Sequence, residues 1–299
     1  MAKTQATLGL QDQQEMILRE RRANNAWRKL ARNKSAMVGL VIVAIVVFVA
    51  IFGPMLVGKD PYAMDFTNMY TKPGVNGMIL GGDEYGRDLF TRIIYGARVS
   101  ILVSVGGMSV GAVFGVLVGL ISGFKGGWVD SALMRIMDGM FAFPFILLAL
   151  LLLTALGEGM QNVILAIGIA NIPGYARIVR GQVLIVKNEE YVKAVGALGA
   201  SNARTIFLHI LPNIVSEVIV YATLNVAGAI LTESSLSFLG LGIVPPTASW
   251  GSILKAGQDC LTTAPHIATY SGLAILLTVL GFNLLGDGIR DVLDPKMKR

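Results

Sequence analysis

Six long apolar segments constrain this chain more than any other feature of its sequence. Each approaches or exceeds the roughly 20 residues that an α-helix needs to cross a bilayer. Only 15% of the 299 residues are charged, whereas soluble domains carry about 25%. The sequence therefore predicts an all-α integral membrane protein with six transmembrane helices, over residues 37–57, 99–124, 131–156, 163–179, 212–232 and 267–285.

The distribution of Lys and Arg predicts how these spans are oriented. We take residues 1–35 as a cytoplasmic amino-terminal arm and residues 36–299 as a six-span domain. The inside segments and the span ends next to them then hold 19 of the 25 Lys and Arg residues, the excess that cytoplasmic segments of membrane proteins carry. We therefore expect both termini, and the polar segment 189–213, to lie in the cytoplasm.

Composition excludes several function classes. With 2 His and 1 Cys the chain cannot build a Cys/His metal cluster, so we predict no metal site. The sequence has no G-x-x-x-x-G-K-[ST] phosphate loop, so the chain is not predicted to bind ATP or to be an enzyme. Its net charge of +6 follows from the topology, and no nucleic-acid partner is expected. A secondary carrier would show inverted repeats and mid-membrane ionisable groups, and neither is evident. A structural membrane scaffold would need no polar loop of the kind described next.

The segment Glu189–Asn213 is the longest markedly polar stretch between the apolar segments of the second half. Apolar residues recur in it at roughly helical spacing, and Gly199 interrupts them where a second short helix could turn away from the first. Leu211 and Pro212 lie just inside the next apolar segment, where proline suits a first helical turn. The pattern predicts a short helix–turn–helix outside the bilayer, with an ordinary solvated loop as the alternative.

This segment resembles the EAA loop of ABC transporter permeases. Four positions match the pattern of that loop: Ala194, Gly199, Leu211 and Pro212. Three positions differ, where the family has Glu, Ala and Ile: Lys193, Val195 and His209. In that family the loop forms a coupling helix that docks into a groove on a cytoplasmic ATPase. The resemblance implies this role here for Glu190, Tyr191, Lys193, Ala194, Gly199, Ala200, Arg204, Leu211 and Pro212.

Four further segments resemble one branch of these permeases, the oligopeptide/dipeptide type. They occur in the order and at the spacing of that branch: Leu80–Ser100, Gly123–Pro144, Glu233–Gly251 and Asn283–Pro295. The resemblance covers nearly the whole chain from Leu80 onward, whereas the amino-terminal arm and the first outer loop show much less of it.

The resemblance implies the type I ABC importer permease fold and a role as one permease subunit of an importer of di- and oligopeptides, in a bacterial or archaeal cytoplasmic membrane. Its partners would be a homologous permease, two cytoplasmic ATPases that bind ATP and Mg²⁺, and an extracytoplasmic substrate-binding protein. This chain would bind no cofactor. Nickel, glutathione or opines are the alternative substrates, since permeases of this branch are alike.

Five glycines recur every four residues within the second predicted span: Gly107, Gly111, Gly115, Gly119 and Gly123. This spacing places them on one face of a helix, along about 24 Å at 1.5 Å per residue. Small residues let helices approach closely in a membrane, so we predict that this face packs against a neighbouring helix. In the third and fourth spans Pro144 and Pro173 each remove a backbone hydrogen bond and permit a kink.

Several polar and aromatic residues lie near the predicted outer surface. Asp83 and Asp88 can cap short helices, and Arg87 can pair with either of them. The resemblance implies an alternative role for these three residues, contact with the substrate-delivering protein. Trp250 is typical of an aromatic anchor at the outer interface. Glu233, near the end of the fifth span, is expected to reach that interface or to hydrogen-bond at the helix end.

Overall fold

A computed structural model describes residues 28–293 of the chain. Most of the predicted amino-terminal arm, residues 1–27, lies outside this range, as do residues 294–299. The helices are α1 (Lys34–Val57), α2 (Leu89–Lys125), α3 (Gly127–Phe141), α4 (Phe145–Leu156), α5 (Met160–Val186), α6 (Glu190–Ala197), α7 (Asn202–Phe238), α8 (Trp250–Asp259) and α9 (Pro265–Leu293). A 3₁₀ turn covers Phe66–Asn68.

Five of these helices are long and apolar enough to cross a membrane: α1, α2, α5, α7 and α9. A sixth span results if α3 and α4 are counted together, but their axes meet at a bend of 95°. The span predicted over residues 131–156 is therefore sharply bent rather than one straight helix. The break lies at Pro144, which has no N–H to continue the helix and whose backbone is extended, with φ −54° and ψ 134°.

The second span is much longer than its apolar segment predicts. α2 begins at Leu89, ten residues before the predicted start at residue 99. Arg92 and Arg98 interrupt the apolar pattern of its first residues. Hydropathy alone therefore does not detect this part of the helix. The side chain of Asp88 caps this helix by accepting from the backbone N–H of Thr91, which satisfies one of the free donors at the helix start.

The five-glycine face of α2 packs along α5. It meets a second series with the same four-residue spacing: Ile167, Asn171, Tyr175, Val179 and Val183. A Cβ atom added to Gly111 would lie 2.8 Å from the Cβ atom of Asn171, and one added to Gly119 would lie 2.7 Å from that of Val179. Because the glycines contribute no side chain, the two backbones approach closely, and α2 and α5 form one closely packed pair from Gly107 to Gly123.

The bundle has two ends, which we name by the short helices found there. At the α8 end, the loop 58–88 and the segment 239–264, which contains α8, pack over the start of α2. Trp250 is 2% exposed, and its indole N–H donates to the carbonyl of Ile93 at 3.0 Å. Its predicted role as an interface anchor is wrong, because α8 inserts its first residue between the helices.

Glu233 takes the second of the two roles expected of it, a hydrogen bond near the helix end. It is fully buried rather than at the interface, and Ser237 Oγ donates to its Oε1 at 2.9 Å. The same Ser237 Oγ accepts from the backbone N–H of Ile243. The carboxylate therefore lies beneath the segment that leaves α7, where serine hydroxyls replace the water that it would otherwise need.

Candidate functional site

The α6 end of the bundle presents a short exposed helix between two spanning helices. α6 joins α5 to α7, and Val192 is its one buried residue. Tyr191 is 44% exposed and Leu198, just after the helix, is 88% exposed. Gly199 has a φ of +83°, a left-handed conformation that residues other than Gly and Asn resist.

The second half of this segment differs from the predicted helix–turn–helix. We expected a separate second helix, but residues from Asn202 onward continue directly into the fifth span as α7. The join is a π-helical stretch, Thr205–Ile210. Pro212 follows it and has no N–H to donate to the carbonyl of Leu208, and a wider turn accommodates such a missing bond. The exposed surface and the spanning part of α7 therefore belong to one helix.

A buried apolar cluster joins α6 to the spanning helices beneath it. Val192 belongs to one cluster with residues of three of them: Leu120 of α2, Val179 and Val183 of α5, and Ile210 and Ile214 of α7. All of these side chains are 5% exposed or less. Because closely packed interiors transmit displacement, a force on α6 would reach α2, α5 and α7 together.

The predicted coupling residues lie on α6, on the turn after it and on the first turns of α7. Those with exposed side chains or backbone are Glu190, Tyr191, Lys193, Ala194, Gly199, Arg204 and Pro212, and those that are half-buried are Ala200 and Leu211. The structure brings these residues to one end of the bundle, and their contact with an ATPase stays a prediction.

At the α8 end, the charged residues that precede α2 form a buried ion network. Arg87 Nε lies 2.6 Å and Arg92 Nε 3.2 Å from Asp83 Oδ2, and Arg87 Nη2 lies 2.7 Å from Glu84 Oε1. Asp83 and Arg87 are only 2% and 3% exposed. In this conformation they hold the loop on α2 and offer little surface to a partner, while Asp88 serves as the helix cap.

Glu84 is the least satisfied member of this network. Its Oε2 atom is buried and has no hydrogen-bond partner among the described residues. Burial, and then the neighbouring charge of Asp83, raise the pKa of Glu84. A nearby cavity of about 410 Å³ is lined by Glu84 together with Lys255 and Asp259 of α8. Sequence reasoning missed these two residues of α8, because that helix lies in a segment that we treated as a loop.

Two family models match this chain. Residues 115–299 match the protein family described as binding-protein-dependent transport system inner membrane component. Residues 23–73 match the N-terminal TM domain of oligopeptide transport permease C.

Full-length relatives give the same result. Over 273 residues, the chain is 43% identical to the dipeptide transport system permease protein DppC of Alkalihalophilus pseudofirmus, covering 91% of this chain and 90% of that protein. With the same coverage it is 42% identical to the glutathione transport system permease protein GsiD of Escherichia coli O6:K15:H31 and 40% identical to that of Pectobacterium atrosepticum. The chain therefore belongs to the binding-protein-dependent transport system inner membrane components, as a multi-pass permease of the type I ABC importer fold.

Proposed function

We propose that this chain is one of two permease subunits of an ATP-driven importer of di- and oligopeptides. The observation that carries the proposal is α6, an exposed helix whose one buried side chain belongs to an apolar cluster shared with three spanning helices. The relative named as a dipeptide permease supports the substrate class, since it is 43% identical along nearly the whole chain. Both termini and α6 would face the cytoplasm, and the α8 end would face outward.

The partners follow from the surfaces left open. Two cytoplasmic ATPases, which would bind ATP and Mg²⁺, would dock at α6, and a substrate-binding protein would dock at the α8 end. A homologous permease would cover α3 and the bend before α4, where large apolar side chains are exposed: Trp128 at 81%, Ile136 at 59% and Phe143 at 51%. This chain would itself bind no cofactor and catalyse no reaction.

The mechanism would be alternating access driven from α6. When the ATPases close, they would displace α6, and the cluster around Val192 would pass the displacement to α2, α5 and α7. Because the docking turn and the fifth span form one helix, α7 would tilt as a unit. The tilt would open the path toward the outside, and a peptide released by the binding protein would enter between the two permeases.

Glutathione is the second candidate substrate, because relatives named as glutathione permeases are 42% identical, close to the 43% of the dipeptide permease. Nickel and opines remain alternatives from the resemblance within the branch. Glutathione and dipeptides share amide groups, so one transport path could accept either of them.

Uptake by the whole complex tests this proposal. The chain is reconstituted into vesicles with its partner permease, both ATPases and the binding protein, and ATP-dependent uptake of dialanine, glutathione and nickel is measured. We expect ATP-dependent uptake of dialanine. We also expect ATP hydrolysis to be coupled more tightly to this uptake when the binding protein is present. Uptake of glutathione or nickel without dialanine would replace peptides by that substrate, and no uptake of any of the three would contradict the importer assignment.

A further inference from the structure

A pocket lies on the exposed side of the bundle near the middle of α5 and α7. It has a volume of about 270 Å³, slightly below the roughly 300–1,000 Å³ of pockets that hold whole drug-sized ligands. Six of the residues that line it carry the argument: Phe141 and Phe145 at the bend, Asn171 of α5, and Tyr221, Asn225 and Thr232 of α7. We call it the mid-span pocket.

An exposed ion pair lies at one edge of this pocket. Arg177 Nη2 lies 2.7 Å from Asp138 Oδ1 in an ion pair whose side chains are 54% and 61% exposed. The Arg177 guanidinium also lies 4.3 Å from the centre of the Phe141 ring, at the edge of the pocket. A charged side chain this close to the cytoplasmic end of the predicted span can reach the interface. The ion pair therefore marks the α6 side of the mid-span pocket as polar.

The polar side chains in the pocket offer acceptors more than donors. Asn171 Nδ2 donates to the carbonyl of Ile167 at 2.8 Å, and Asn225 Nδ2 donates to the carbonyl of Tyr221 at 2.8 Å. The orientation of both amides is determined, because a carbonyl can accept only from the NH₂ group. Within the described part of the chain, no hydrogen bond is made to either Oδ1 atom.

The remaining polar groups are a further acceptor, Thr232, and the hydroxyl of Tyr221, which can donate or accept. Thr232 Oγ1 donates its hydrogen to the carbonyl of Gly228 at 2.9 Å, which leaves only lone pairs. Tyr221 extends over Gly174, where no side chain obstructs its hydroxyl, and its ring packs edge-on against Tyr175 at 4.8 Å between centroids. Among the described residues that line the pocket, none is charged. The pocket therefore combines apolar walls with hydrogen-bond acceptors and no net charge.

This chemistry identifies one kind of ligand. We propose that the mid-span pocket binds the backbone of the transported peptide, with Asn171 Oδ1 and Asn225 Oδ1 accepting hydrogen bonds from its N–H groups; this rests on the proposed peptide-import function. Backbone N–H groups are uncharged donors that every peptide presents, whatever its side chains. Nickel does not fit, because it favours imidazole ligands and no histidine lines the pocket.

The test replaces the peptide N–H and its acceptors independently. The reconstituted complex is assayed for uptake of dialanine and of alanyl-lactate, whose ester oxygen replaces the N–H at almost unchanged shape. The chain is used unmodified, as Asn171→Leu, as Asn225→Leu and as the double variant. Any preference of the binding protein is common to all four forms of the chain. A change in the ratio of dialanine uptake to alanyl-lactate uptake therefore reports on the permease.

We expect the double variant to lower dialanine uptake roughly 5- to 10-fold, the value of about one hydrogen bond, and to leave alanyl-lactate uptake within about 2-fold. Thr223→Val is the matched control, since it removes a similar side-chain bond to the carbonyl of Ile219 on α7, outside the pocket; it should leave both substrates unchanged.

Three outcomes would overturn the inference. An uptake ratio in the double variant equal to that of the unmodified chain would show that no N–H is bound there. Loss of co-purifying partner permease would show that a side chain of that subunit occupies the pocket. An unmodified complex that carries no dialanine would instead overturn the proposed function, and the peptide site with it.

Discussion

Arg180 holds Asp130 through two parallel hydrogen bonds, from Nε to Oδ1 and from Nη2 to Oδ2, each 2.6 Å long. The hydroxyl of Ser122 also donates to Asp130 Oδ1. This one carboxylate therefore joins the start of α3 to α5 and to the end of α2. Because α3 is mostly exposed and is followed by a 95° bend, few other contacts define where it lies on the bundle.

Breaking this pair should loosen α3. We predict that Asp130→Asn lowers the free energy of unfolding of the purified chain by about 1 kcal/mol, the value of a charge-assisted bidentate pair reduced for partial exposure. Thermal unfolding in detergent measures the change. The double variant Asp130→Arg/Arg180→Asp should recover part of the loss, and a double variant that is less stable than either single one would show that the pair contributes nothing specific.

The glycine face of α2 should not accept even one methyl group. A Cβ atom at Gly115 would overlap the Cβ atom of Tyr175 and would lie 2.7 Å from the carbonyl oxygen of Ile172. We therefore expect Gly115→Ala to cost about 1–3 kcal/mol, as overpacked cores do, and Gly115→Leu to prevent assembly of the complex. Gly181→Ala on α5 is the control, because a Cβ atom there meets nothing within 4 Å. Thermal unfolding and recovery of assembled complex are the measurements, and normal behaviour of both Gly115 variants would contradict close α2–α5 packing.

Gly199 should be required for coupling rather than for insertion. No atom lies within 4 Å of a Cβ atom built there, but its φ of +83° strains other residues. We predict that Gly199→Val yields a membrane-inserted chain with at least about a 5-fold loss of ATP-dependent uptake, since the strain of roughly 1 kcal/mol or more redirects the turn. Gly199→Asn should retain most activity, because Asn tolerates this conformation. Equal uptake by the Val and Gly forms would show that the turn is not part of the coupling element.

The ion network at the α8 end should make stability depend on pH. Burial raises the pKa of Glu84, so the folded chain holds this proton more tightly than the unfolded chain does. The stabilisation that comes from this tighter proton binding is fully present below the ordinary glutamate pKa. It is lost as the pH rises through the raised pKa of Glu84. We expect Glu84→Gln to equal the unmodified chain in thermal unfolding at about pH 4 and to be slightly more stable at about pH 8. Glu158→Gln, in the exposed turn after α4, is the control, and a Glu84→Gln chain that is less stable at the higher pH would contradict this account.

The orientation of the spans can be tested with a reporter that is active only in the cytoplasm. Fused after Lys187, at the α6 end, it should be active, and fused after Gly257, in α8, it should be silent. The physical reason is the excess of Lys and Arg at the α6 end. Comparable amounts of both fusion proteins must be present for the comparison. The reverse pattern would place α6 outside the cell and contradict its docking to ATPases.

The sequence by itself determined the features that depend on composition and local spacing. Apolar length predicted where the spanning helices lie, because any polar backbone in lipid must be satisfied within its own helix. The four-residue spacing of Gly107 to Gly123 predicted one packed face, and the polar interruption with Gly199 predicted a turn after a short exposed helix. Each of these inferences needs only the period of an α-helix and the thickness of a bilayer.

Only the tertiary structure decided the features that depend on partners distant in the chain. The sequence placed Trp250 at an interface and left Glu233 either there or hydrogen-bonded at the helix end, but the carbonyl of Ile93 and Ser237 satisfy their polar groups in the interior. Pro144 permitted a kink, and the structure shows a bend of 95°. The acceptors Asn171 and Asn225 meet in one pocket only because α5 and α7 pack side by side. A local pattern states which groups need a partner, and the packing of helices distant in sequence supplies it.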